Sequence, residues 1–148
     1  MDHNSGKSIV VGVDASPPAV AALRLAAQLA RALDAPLHVV TTWSYPPFSE
    51  YSAITVWDPE EEADIVLTES VKGAFGDSPP AGLTREVLEG APSPALIDVS
   101  ASSRMLVLGN RGRGGFASLL LGSVSAACVA HAVCPVLVVH ANDHLDQA

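Results

Sequence analysis

Hydrophobic and polar positions along the chain follow two periods in turn. Ile9-Val10-Val11-Gly12-Val13 is short, β-branched and nearly all apolar, the pattern of a strand covered on both faces. It gives way to Asp14-Ala15-Ser16-Pro17. There a serine can cap a helix, and a proline costs nothing at the first helical position. From Pro17 to about Asp34, Ala19, Leu23, Ala26, Ala30 and Leu33 recur at spacings of three and four, while Arg24, Gln28 and Arg31 mark the opposite face, which predicts an amphipathic helix. Leu37 to Trp43 reads as a second strand, followed by a long connection from Ser44 to about Pro59. Glu60 to Phe75 reads as a helix with acids in its first turn, where the helix dipole favours them.

The alternation continues to the C-terminal end. Leu83 to Leu88 is a third strand, and Pro94 to Ala101 is a third helix entered through Ala91-Pro92-Ser93. Arg104 to Leu108 is a fourth strand ending at Gly109, Leu119 to Ala132 a fourth helix, and Pro135 to His140 a fifth strand. The stretch after Ala141 reads as a frayed tail. Strands alternating with helices imply right-handed crossovers and an α/β fold, a parallel sheet with helices on both faces. The 148 residues fit one domain, with an ordered core expected over about residues 8–140. A chain of that size buries roughly 68–70% of its unfolded surface.

Composition narrows the partners. The longest clean apolar runs, such as Val136 to Val139, fall far short of the roughly 18 residues of a spanning helix, so no membrane association is expected. The start, Met1-Asp2-His3-Asn4-Ser5-Gly6-Lys7, lacks a basic segment followed by a long apolar one, and a cytoplasmic location is the expectation. The net charge is −8, with Lys7 and Lys72 the only lysines. Gripping nucleic acid by its phosphates needs clustered positive charge, so no nucleic-acid partner is expected. Cys128 and Cys134 lie six apart, neither a redox pair nor a zinc knuckle, and read as small buried hydrophobes. His3, His38, His131, His140 and His144 are scattered, and no structural metal is expected.

The chemistry concentrates in Gly109-Asn-Arg-Gly-Arg-Gly-Gly-Phe-Ala-Ser-Leu-Leu-Leu-Gly-Ser-Val-Ser125. The segment begins where the fourth strand ends, and ligands of open α/β sheets bind outside the carboxyl ends of strands. Glycine lets backbone approach a ligand closely, and a helix start offers unsatisfied N–H groups with partial positive charge. Gly122-Ser123-Val124-Ser125 adds two hydroxyls. On these grounds the segment is either an anion cradle or an ordinary glycine-rich turn with Gly114-Gly115 as its tip. No lysine lies in it, which excludes a Walker A loop.

The spacing Gly109, two residues, Gly112, nine residues, Gly122-Ser123 resembles the G-x2-G-x9-G-[S/T] signature of the ATP-binding branch of the universal stress protein family. Ile9-Val-Val-Gly-Val-Asp-Ala-Ser-Pro17 and Cys134-Pro-Val-Leu-Val-Val139 resemble that family's first and last strands. The resemblance spans the chain. It implies a flavodoxin-like three-layer sandwich with strand order 3-2-1-4-5 and an ATP site, commonly with Mg2+. It places Gly12 and Asp14 at the nucleoside end, Thr41 beside the adenine, Leu108 and Gly109 beside the ribose, and Gly112, Gly122, Ser123, Val124 and Ser125 on the phosphates. Arg111 and Arg113 would meet the anion or stand as solvated loop charges. The family's last strand mediates a two-fold dimer, which implies a homodimer through Val136, Leu137, Val138 and Val139. One departure bears on the site: relatives usually carry glycine where this chain has Ala15, and the extra methyl is expected to crowd the pocket slightly. A second, Ser103-Arg104 in place of an aspartate entering the fourth strand, lies outside the site.

Four functions follow from this reading. The first is a regulatory ATP binder whose occupancy shifts conformation or partners. The second is a slow ATPase or self-phosphorylating protein using Ser123 or Ser125, with Asp14 the one candidate base. The third is a cyclic AMP binder, and the fourth a partner-binding module with an empty pocket. Five of the seven aromatics fall between Trp43 and Trp57. That stretch reads as a loop packed on the sheet edge, a lid, or a docking surface.

Overall fold

The computed structural model describes residues 6–45, 58–112 and 120–141. Nine elements alternate along it: β1 (Ile9–Gly12), α1 (Pro17–Ala32), β2 (Leu37–Trp43), α2 (Pro59–Phe75), β3 (Thr84–Glu89), α3 (Pro92–Ser100), β4 (Met105–Gly109), α4 (Ser123–His131) and β5 (Val136–Val139). The strands form one sheet in the order β3-β2-β1-β4-β5. All four pairings are parallel, with Ile9 opposite Leu37 and Met105, His38 opposite Thr84, and Leu106 opposite Val136.

The period of two along each strand divides the core into two layers. Ile9, Val11, Val13, Val39 and Val107 pack with Ala19, Leu23, Ala26 and Ala30 of α1 and Leu67 and Val71 of α2. Val10, Val40, Leu106 and Leu108 face the other way, onto Leu96 of α3 and Cys128 of α4. Burial on both faces is what allows these strands to be almost wholly apolar.

Local signals set most of the ends. Ser16 caps α1, its Oγ accepting from the Ala19 N–H, and prolines fill the first turn. Asp58 caps α2 by accepting from the N–H groups of Glu60 and Glu61. α3 starts at Pro92 rather than Pro94, because Pro92 itself takes the first helical position. α1 ends at Ala32, with Leu33 already exposed and Asp34 at φ +50°. β3 and β4 each run one residue later than the apolar runs suggest. The largest difference lies in α4, expected from Leu119 and found from Ser123 with Gly122 as its cap. Leu120 stands outside the helix and is 80% exposed.

The departure at Ala15 has a different consequence from the one expected. Ala15 does not line the cavity described below. It adopts φ +66°, a left-handed conformation that favours glycine and costs other L-residues roughly 1–2 kcal/mol. The cost of the alanine is backbone strain in the turn from β1 to α1.

Candidate functional site

The sheet changes direction between β1 and β4, since the chain runs outward from β1 to β2 and β3, then returns to β4 and β5. Crevices form at such switch points, outside the carboxyl ends of the strands. A cavity of about 420 Å3 opens there, within the roughly 300–1,000 Å3 range of small-molecule sites.

Its floor is the carboxyl ends of β1, β2 and β4: Gly12, Val13, Val40, Thr41, Leu108 and Gly109. One side is the turn into α1, with Asp14 and Ser16, and the strand-four exit, with Arg111 and Gly112. The helix α4 contributes Val124 and Ser125. The opposite side comes from the end of β2 (Thr42, Trp43, Ser44) and the first turns of α2 (Pro59, Glu62, Ala63, Val66). That wall is mainly apolar, as a surface for a flat ring requires.

Close approach explains two of the glycines. A Cβ on Gly109 would lie 2.7 Å from the carbonyl carbon and Cβ of Pro18 and 2.8 Å from the Ala19 nitrogen. This glycine lets β4 pass against the first turn of α1. A Cβ on Gly112 would instead lie 2.5 Å from Asp14 Oδ2. The glycine segment and the Asp14 carboxylate therefore meet, although 98 positions separate them in sequence. Asp14 Oδ1 accepts the Ser16 N–H at 3.0 Å, which fixes the carboxylate at the mouth of the cavity.

The α4 end carries the anion-binding potential. Its first helical bond runs from the Ala126 N–H to the Gly122 carbonyl. The N–H groups of Ser123, Val124 and Ser125 thus precede the intrahelical ladder, and the cap residue, Gly122, has no side chain to bond them. The two serines part company here. Ser123 is exposed and does not line the cavity. Ser125 is buried, and its hydroxyl lies 2.8 Å from the Asn110 carbonyl and 3.2 Å from that of Gly122. The Ser125 proton is committed to main chain and braces the start of α4 against the end of β4. Gly122 also stands behind the cavity lining, its N–H donating to the Asn110 carbonyl at 2.7 Å.

Of the residues singled out in the sequence, Gly12, Asp14, Thr41, Leu108, Gly109, Arg111, Gly112, Val124 and Ser125 line one cavity. Arg113 lies outside the described residues, as does most of the aromatic connection. Of that connection, Trp43 and Tyr45 are described and stack edge to face at 5.4 Å. Sequence reading missed the α2 wall, which no motif marks, and Asn110, which reads as a turn residue inside the glycine segment. Among the described residues no group of three or more His, Cys, Asp or Glu side chains is placed to hold a metal ion, and no helix is long and apolar enough to cross a membrane. Burial raises the thiol pKa of Cys128, helped by neighbouring Cys134, and burial also raises that of Cys134.

The model of the universal stress protein family matches residues 6–140. The universal stress protein Rv2005c of Mycobacterium tuberculosis is 36% identical over 144 residues, covering 91% of this chain and 48% of the relative. Rv2623 of the same species is 32% identical over 149 residues, covering 95% and 50%. The chain thus spans about half the length of these curated relatives. Among solved structures, a universal stress protein determined in complex with cAMP superposes with a TM-score of 0.69 at 28% identity, covering 92% of this chain and 98% of that one. UspA from Lactobacillus plantarum reaches a TM-score of 0.74 at 23% identity, covering 92% and 99%.

Proposed function

The chain belongs to the universal stress protein family, and on that premise we propose that it binds an adenine nucleotide, ATP in the first instance, and acts as a regulatory binder. The observation that carries this reading is the meeting of Gly112 with Asp14. It joins a polar, carboxylate-bearing nucleoside end to a glycine cradle at a helix start, inside a cavity of nucleotide size. The base would lie against the β2–α2 wall near Thr41. The phosphates would lie toward Gly112 and the N–H groups that open α4, with Arg111 beside them.

The donor set suits Mg2+ only in company with phosphates, because that ion is commonly held by one or two carboxylates plus substrate oxygens. Asp14 is the side chain that would hold it, and the ion would supply charge neutralisation at the phosphates. What the chain contributes is binding and orientation. Asp14 accepts the Ser16 N–H through Oδ1 and the Ser125 hydroxyl donates to main chain, an arrangement that supports binding rather than rapid phosphoryl transfer. Turnover, if measured, should be slow on the scale of dedicated enzymes.

Calorimetric titration with ATP, ADP, AMP, cAMP and adenosine tests the proposal. The expected result is one site per chain and an affinity that rises with phosphate number. Absence of binding to any of the five overturns it. A cyclic AMP site is the second reading, favoured by the 28%-identical structure determined with cAMP. It predicts cAMP as the tightest of the five ligands.

A homodimer through β5 is the associated proposal. Among the described residues β5 pairs with β4 alone and forms one edge of the sheet. Its Val136, Leu137 and Val138 are half-buried, and an exposed apolar edge favours pairing.

A further inference from the structure

We infer that Asn110 is the positioning residue of the phosphate end of the cavity, an inference that rests on the nucleotide reading above. Asn110 directly follows β4, is 6% exposed, and spreads its polar groups over three parts of the fold. Its N–H donates to the Val139 carbonyl at 2.8 Å, extending the β4–β5 ladder past Gly109. Its carbonyl accepts the Gly122 N–H at 2.7 Å and the Ser125 hydroxyl at 2.8 Å. Its Nδ2 donates to the Leu120 carbonyl at 3.2 Å.

One residue at the end of a rigid strand thereby holds the returning segment at positions 120, 122 and 125. The ties at 122 and 125 run to the main-chain carbonyl and the one at 120 comes from the side-chain amide, so the asparagine side chain adds the hold on the segment just before α4 and with it the direction of the opening N–H groups. The two stretches are in contact: a Cβ on Gly122 would touch Arg111 Cα at 3.4 Å and the Gly112 nitrogen at 3.6 Å. The exit of β4 and the entry of α4 thus form one braced unit. Donors already in place need not be ordered when an anion arrives, which is where preorganisation adds affinity. The Asn110 Oδ1, in contrast, is buried with no hydrogen-bond partner among the described residues. The amide is therefore in use for its N–H2 end, and an apolar side chain would fill the space without that desolvation cost.

The test compares wild type with Asn110→Ala in the full chain, titrated with ATP and with adenosine. Loss of one positioning hydrogen bond predicts an ATP affinity about tenfold weaker with adenosine held within about twofold. A purely structural role would weaken both ligands together, and that outcome, or no change in either, overturns the inference. A wild-type protein that binds ATP no better than adenosine overturns the nucleotide reading itself, a failure visible without any variant.

Amide hydrogen exchange in the ligand-free protein supplies an independent arm. Asn110→Ala keeps the main-chain carbonyl that accepts the Gly122 N–H and removes only the Nδ2 tie to Leu120. The segment loosened at Leu120 should let the Gly122 amide exchange faster while those of Leu106 and Val107 in β4 keep their protection. Unchanged Gly122 exchange counts against the inference. Should Asn110→Ala fail to fold, Ser125→Ala removes the hydroxyl tie from α4 to the Asn110 main-chain carbonyl and is read by the same selective loss of ATP.

Discussion

Two glycines of one motif should fail in different ways when given a methyl group. At Gly109 a Cβ lands 2.7 Å from Pro18 and 2.8 Å from the Ala19 nitrogen, closer than carbon atoms pack. The atoms it meets include main chain in the first turn of α1, a helix whose Ala19, Leu23 and Ala26 are fully in the core, so relief requires moving the helix off the sheet. Overpacking of a well-filled core typically costs 1–3 kcal/mol, and a clash against backbone belongs at about 2–3 kcal/mol. At Gly112 the nearest atom is Asp14 Oδ2, the far end of a side chain, which gives way more cheaply than main chain. Gly112→Ala should therefore cost less than about 1 kcal/mol in stability, the usual range for a surface change, yet displace the carboxylate at the mouth of the cavity.

Urea denaturation of both variants decides the matter. With a slope of about 2 kcal/mol per molar, Gly109→Ala should lower the midpoint by roughly 1–1.5 M, and Gly112→Ala by less than about 0.5 M. Nucleotide titration should reverse the ranking at Gly112, where affinity falls with stability almost intact. Equal midpoints for Gly109→Ala and wild type would refute the close-packing argument. A Gly112→Ala protein as unstable as Gly109→Ala would refute the division of roles.

Three further outcomes are expected. Ala15→Gly relieves a left-handed φ of +66° worth roughly 1–2 kcal/mol, offset by roughly 0.4–1 kcal/mol of unfolded-chain entropy; a net gain of about 0.5–1 kcal/mol should raise Tm with nucleotide affinity unchanged, and a lower Tm would contradict the strain. Because the folded-state thiol pKa values of Cys128 and Cys134 are raised from 9.0, their contribution to stability is complete below the unfolded value and declines as pH climbs through the folded one. Alkylation at neutral pH followed by mass spectrometry should be slow at both, slower at buried Cys128, and rapid labelling of Cys128 would contradict its burial. Val138→Lys on β5 should convert a dimer to monomer in light scattering, while a monomeric wild type would rule out the edge pairing.

Much of the fold was legible because its causes are local. A β-branched apolar run covered on both faces, a Ser-Pro helix start and a 3.6-residue stripe in α1 each act within a few residues. Strands, helices and their alternation could therefore be read directly, and parallel pairing follows from the crossovers. The boundaries that slipped are those where a local signal competes with a distant one. The Leu119-Leu120-Leu121 run reads as helix, but Gly122 and the ties to Asn110 delay α4 until Ser123.

The chain by itself thus determined its α/β class, the strand-to-helix segment proposed to carry the site, and, through the spacing of Gly109, Gly112 and Gly122, the family it resembles. Tertiary structure alone decided what each motif residue does. Gly109 faces α1 and Gly112 faces Asp14, and Ser125 braces the Asn110 carbonyl while Ser123 stands in solvent. It also decided that the first turns of α2 wall the cavity. The physical reason is that steric closeness and hydrogen-bond pairing depend on separations in space. A 98-residue loop closed by a folded sheet leaves no trace in the residues at either end.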